Sequence, residues 1–85
     1  MRELMSVEVA IIIAHNLRKA RKKANLTQEE VAKRAKVNRV SYAKYETGKI
    51  NVGIPNLIKI AYALNVTVDD LLVGVLEAMQ EERDY

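Results

Sequence analysis

The chain is 85 residues long, carries a net charge of +3 and is 49% hydrophobic, enough for one modest core and too little for an enzyme-sized cleft. It has no cysteine and a single histidine, His15, which excludes disulfides and thiolate chemistry and leaves no nucleophile and base pair and no metal cluster. The charge is unevenly spread: from His15 to Lys49 there are 11 Lys/Arg against 3 Asp/Glu, a net +8, while the remaining residues carry −5. Such asymmetry within one small domain points to one face turned toward a polyanion.

The longest apolar run, Val9 to Ala14, is too short to span a bilayer, and Arg2 with Glu3 makes a poor signal-peptide start. The chain reads as a soluble, unprocessed cytoplasmic protein with no membrane segment. The N-terminal stretch "VEVAIII" has two readings. As a helix beginning after Ser6, it puts Val9 beside Ile13 and Leu17, with Val7, Ile11 and Ala14 on the far side. As a strand, its β-branched residues fit, but only another copy could pair with it.

From there the apolar spacing is helical and the chain reads as all-α. Ile13, Leu17, Ala20 and Ala24 mark the buried stripe of a first helix ending near Asn25. "LTQEEV" places Thr27 as N-cap, Glu30 as the closing residue of a capping box and Leu26 as a staple on Val31, so a second helix starts at about Gln28. "VNRVSY" repeats the pattern with Asn38 as N-cap and Val37 against Tyr42, opening a third helix at Arg39 that stops before Gly48.

Gly53 and Pro55 open a fourth helix with a buried stripe of Ile54, Leu57, Ile58, Ala61 and Leu64, and Asn65 caps its end. "VTVDDL" caps a fifth helix through Thr67 and Asp70, and Val75 to Arg83 could form a short sixth. Asp69 and Asp70 sit in a first helical turn, where carboxylates favour the helix dipole, and are not read as metal ligands. Because so few residues join the second and third helices, they must cross steeply as a helix-turn-helix.

"LTQEEVAKRAKVNRVSYAKYETGK" followed by "LIKIAYALNVTVDDLL" resembles the phage repressor and Cro type of helix-turn-helix domain, also called the xenobiotic-response-element family. The resemblance covers about residues 13–72, leaving an N-terminal extension, 1–12, and a C-terminal segment, 74–85. It implies a five-helix, lambda-repressor-like DNA-binding domain spanning residues 1–85 and a transcriptional regulator acting as a repressor. The third helix would enter the major groove. There Arg39, Val40, Ala43 and Lys44 would meet base edges, with Arg39 on guanine O6 and N7 and Val40 or Ala43 on a thymine methyl.

The resemblance further implies phosphate contacts from Gln28, Asn38, Lys49 and Asn51, and a buried structural ion pair between Arg21 and Glu46. Tyr42 and Tyr45 fall at its core positions. Three positions depart from its pattern. Lys36 replaces the usual turn glycine, where a left-handed backbone would be strained; Val52 replaces a proline; and Tyr42 is larger than the usual aliphatic residue.

Val7, Ile11, Leu76 and Met79 find no place in a five-helix core and are expected to form a homodimer contact on near-palindromic double-stranded DNA. No cofactor, metal or small-molecule ligand is expected. The competing function is a protein interaction module, such as an antitoxin or anti-repressor, that has kept the fold; the concentrated basic charge argues against it.

Overall fold

Among the described residues six helices follow one another, most of them bounded by a local capping signal: α1 (Arg2–Lys23), α2 (Gln28–Ala35), α3 (Arg39–Thr47), α4 (Ile54–Leu64), α5 (Val68–Leu71) and α6 (Val75–Arg83). The computed structural model describes the backbone of residues 2–83 and the side chains of residues 7–80, so the side chains of Arg2 and Glu3 lie outside it.

Thr27 and Thr67 each accept from the backbone N–H three residues on, and the side chains of Glu30 and Asp70 accept in return from the cap N–H at 2.9 Å. Asn38 accepts from Ser41 N–H at 2.9 Å and so caps α3. Gly48, at φ 74, ends it in the left-handed region where glycine carries no Cβ penalty.

The N-terminal stretch is helical from Arg2, so the helix begins before Ser6 and the strand reading is overturned. β-branched residues weaken a helix by only a few tenths of a kcal/mol each, about what packing of one face easily outweighs. That packing also corrects the expected facing of Ala14, which is 2% exposed rather than on the far side. A Cβ on Gly48 would lie 3.3 Å from Ile11 and 3.6 Å from the Ala10 carbonyl, and one turn beyond Ala14, Arg18 donates to the Glu46 carbonyl. The small side chains of Ala10 and Ala14 therefore let the end of α3 lie close along α1. Ala24, at the other end of the expected stripe, is exposed in the turn after α1.

Each of the first five helices gives the core a fully buried hydrophobic side chain, Leu17, Val31, Tyr42, Ile60 and Leu71 in turn, and α3 adds the fully buried Glu46. α1 packs on α3, α5 and α6, while α2 packs on α3 and α4. In α4 the buried stripe is Leu57, Ile60, Ala61 and Leu64, and Ile54 and Ile58 are exposed, contrary to expectation. Both stripes have helical spacing. Contacts with α2 and α5 select the one containing Ile60. Asn16 donates to the carbonyls of Leu71 and Val73, both at 2.9 Å, and ties the α5–α6 turn to α1.

Candidate nucleic-acid interface

α3 owes its position to a three-residue turn and a divided surface. Lys36 adopts the left-handed conformation, φ 57, ψ 44, and its N–H reaches the carbonyls of Ala32 and Lys33. A non-glycine residue there costs about 1 kcal/mol, so the turn keeps its geometry despite the missing glycine. Tyr42, Tyr45 and Glu46 turn inward at i, i+3 and i+4. Arg39, Val40 and Lys44 are exposed and Ala43 is half-buried; Val40, Ala43 and Lys44 lie on the side of the helix away from the core, and Arg39 stands at its exposed first position.

Glu46 fixes that division. It is 1% exposed and accepts from Arg21 Nε at 2.6 Å, Arg21 Nη2 at 3.0 Å, Gln28 Nε2 at 3.0 Å and Tyr42 Oη at 2.5 Å. Arg21 is on α1, Gln28 on α2 and Tyr42 on α3, so one carboxylate joins three helices. Burial by itself would raise its pKa, but the bonds from Arg21, Tyr42 and Gln28 outweigh that and hold it below the ordinary glutamate range. Burial, and then the bond to Glu46, push the Tyr42 hydroxyl well above the usual tyrosine range, so it stays a donor. Tyr45 accepts from Asn56 Nδ2 at 3.0 Å, which links α3 to α4. Both tyrosines are core residues and neither offers a stacking surface.

The outer face of α3 adjoins the start of α2. Gln28, Glu29, Arg39, Val40 and Ala43 surround one open depression of about 250 Å³. Gln28 is half-buried because its amide donates inward to Glu46, leaving its second N–H and the backbone N–H at the helix start for an outside acceptor. Asn38 uses its carbonyl oxygen as the cap of α3, which turns its amide NH₂ outward. Lys49 and Asn51 are exposed in the loop after α3. Thr47 and Glu29 were missed by the sequence reading. Thr47 lies on the outer face of α3 beyond Ala43 and Lys44, signalled only by its spacing. Glu29 was given no role from the sequence, where its only signal is an acid beside Gln28 in the first turn of a basic segment.

The residues expected at a dimer contact are all exposed, but not on one face. Met79 lines an apolar groove of about 560 Å³ with Val9, Ile13, Ile54, Leu57 and Leu72, and no residue of α2 or α3 contributes to it. Ile11 lies instead against Gly48. At about 100° per residue it faces away from Ile13 around α1. Val7 shares the Ile11 side and Leu76 shares α6 with Met79. Among the described residues no helix is long and apolar enough to cross a membrane.

The helix-turn-helix family model matches residues 17–71. An HTH-type transcriptional regulator of Archaeoglobus fulgidus is 36% identical over 67 residues, covering 79% of this chain and 94% of the relative. The CTXphi transcriptional repressor RstR of Vibrio cholerae is 39% identical over 59 residues, covering 69% of this chain and 53% of the repressor, so the chain spans about half of its length. Among solved structures, the restriction-modification controller protein C.AhdI of Aeromonas hydrophila superimposes with a TM-score of 0.71 at 29% identity, covering 73% of this chain and 94% of the other.

Proposed function

The chain belongs to the helix-turn-helix family of DNA-binding transcriptional regulators, and we propose that it represses transcription by occupying operator DNA as a homodimer, one α3 in each major groove of a near-palindromic site. The observation that carries this reading is the outer face of α3. Tyr42, Tyr45 and Glu46 are anchored inward, so Arg39, Val40, Ala43 and Lys44 are presented together on a backbone that cannot roll.

Arg39 donates a bidentate pair to guanine O6 and N7, Val40 and Ala43 pack on thymine methyls, and Lys44 reaches a guanine or a phosphate. Gln28, Asn38, Lys49 and Asn51 hold phosphates on either side, the first with the help of the α2 N-terminus. These contacts set register without reading bases. Repression follows from occupancy of the site, and the similar protein RstR is a transcriptional repressor.

The homodimer is assigned to the groove face, with Leu76 and Met79, because that surface is apolar except for Asn51, whose amide reaches the phosphate from the groove's edge, and contains nothing from α2 or α3. Pairing there leaves both reading faces free, about 34 Å apart on successive turns of one side of the duplex.

Selection of bound sites from a random duplex library tests the reading. A half-site repeated in inverted orientation is expected, and Arg39→Ala is expected to lose about 1 to 3 kcal/mol on that site and almost nothing on random duplex. An equal loss on both would move Arg39 to the DNA backbone. A selected site without inverted symmetry would remove the dimer.

A further inference from the structure

Among the acidic residues of the basic half, Glu29 has no assigned partner. Glu30 closes the capping box on Thr27, and Glu46 is buried among Arg21, Gln28 and Tyr42. Glu29 is exposed, takes part in no hydrogen bond or ion pair among the described residues, and shares its depression with Arg39, Val40 and Ala43. Its helix position accounts for an acid in a first turn. That does not account for an acid at the rim of the one surface that must approach phosphates, where an unpaired carboxylate repels the ligand. Two cations are placed to neutralise it, Lys33 one turn along α2 and the Arg39 guanidinium across the depression, and of these only Arg39 lines the same surface as Glu29, exposed and with no bond among the described residues.

We propose that Glu29 is a positioning residue for base reading: on the DNA its carboxylate accepts from one edge of the Arg39 guanidinium and holds the other edge toward guanine. Arginine has five donors in a planar fork, so one edge can bond a carboxylate while the other makes the bidentate guanine contact. A guanidinium held this way loses less freedom on reading its base and reaches a neighbouring phosphate less readily. The Glu29 carboxylate also repels phosphates on any sequence, a cost that the guanine contact it orients offsets on the selected site and that nothing offsets on random duplex. Glu29 therefore acts on specificity more than on affinity.

The inference rests on the assignment of α3 as the reading helix, and the experiment separates the two. Parent, Glu29→Gln, Glu29→Ala, Arg39→Ala and the Glu29→Ala, Arg39→Ala double variant are titrated against the library-selected duplex, its single-base-pair variants and a random duplex. Glu29→Ala is expected to lower the ratio of selected to random affinity roughly tenfold, partly through tighter random binding. The relaxed preference should fall at the same base pair that Arg39→Ala relaxes, and the double variant should relax it no further. Glu29→Gln, which keeps an acceptor oxygen but no charge, should fall between the parent and Glu29→Ala. Thermal midpoints serve as the folding control, and since Glu29 is exposed both variants should fold.

An unchanged preference in Glu29→Ala, a change at a different base pair, or effects that add in the double variant would each overturn the inference while leaving α3 as the reader. If Arg39→Ala itself left every base preference unchanged, the base-reading role given to Arg39 in the proposed function would fail, and this inference with it.

Discussion

Where α1, α2 and α3 meet, one carboxylate accepts four bonds from three side chains, and no buried side-chain polar atom is unpaired among the described residues. Where α1, α4, α5 and α6 meet, an apolar groove of about 560 Å³ stays open, flanked by exposed Ile54 and Met79. The first junction is closed by directional bonds, which fix the angle as well as the distance between helices. The second has directional bonds only at the α5–α6 turn, from Asn16 to the carbonyls of Leu71 and Val73, and its groove is lined almost wholly by apolar side chains, whose contact is non-directional and leaves apolar surface available for a further partner. A reading helix needs the first kind of support, because a small roll of α3 would move Arg39 off its base. A dimer contact needs the second.

The contrast breaks most readily at Glu46. Glu46→Ala removes four bonds and leaves the Arg21 guanidinium without its carboxylate, so a loss of about 3 to 5 kcal/mol is expected in urea unfolding. A loss below about 1 kcal/mol would show that Glu46 does not fix the junction.

Acid titration probes the same carboxylate. Glu46 is held below its ordinary value of 4.5, so its contribution is fully present above that value and disappears as pH falls through the lower, folded-state one. Glu30 and Asp70 are lowered too, by the backbone and then the side chains of Thr27 and Thr67, and act in the same direction. The thermal midpoint should therefore be level at neutral pH and fall below about pH 4.5. Glu46→Gln should flatten part of that fall, whereas a fall already under way near pH 6 would point to other groups.

A smaller effect is expected at the turn that aims α3. Lys36 holds a left-handed backbone that glycine adopts without a Cβ penalty, so Lys36→Gly should raise stability by about 0.5 to 1 kcal/mol. Destabilisation instead would mean that the lysine side chain supports the turn.

The smallest change in monomer stability is expected at the groove. Leu76→Glu with Met79→Glu replaces exposed residues and should shift monomer unfolding by less than about 0.5 kcal/mol. Sedimentation should nevertheless show dimer converted to monomer, while Val7→Glu with Ile11→Glu leaves the dimer intact. The reverse pattern would place the contact on the α3 side of α1.

The sequence by itself determined where α2 to α5 begin and where α3 and α4 end, whereas the end of α2 rests on Lys36 taking a left-handed backbone that the sequence marked as strained. Thr27, Asn38 and Thr67 bond to groups three residues away, and Gly48 and Asn65 turn left-handed within the last helical turn, so each decision is made by a few neighbouring residues. It also marked the outer face of α3, because a tyrosine pair and a glutamate at i, i+3 and i+4 leave only one other face for Arg39, Val40, Ala43 and Lys44. The tertiary structure decided what depends on remote neighbours. α4 is apolar nearly all round, so only α2 and α5 could select Ile60 over Ile54 and Ile58. Ala14 is buried because the end of α3 lies along α1, and the inward bond of Gln28 depends on where the Glu46 carboxylate sits. The shared depression of Glu29 and Arg39 arises the same way, from two helix starts brought together by a steep turn. Capping is satisfied by local hydrogen bonds, whereas facing is set by whichever helix arrives to cover a stripe, and periodicity alone does not distinguish two stripes of equal spacing.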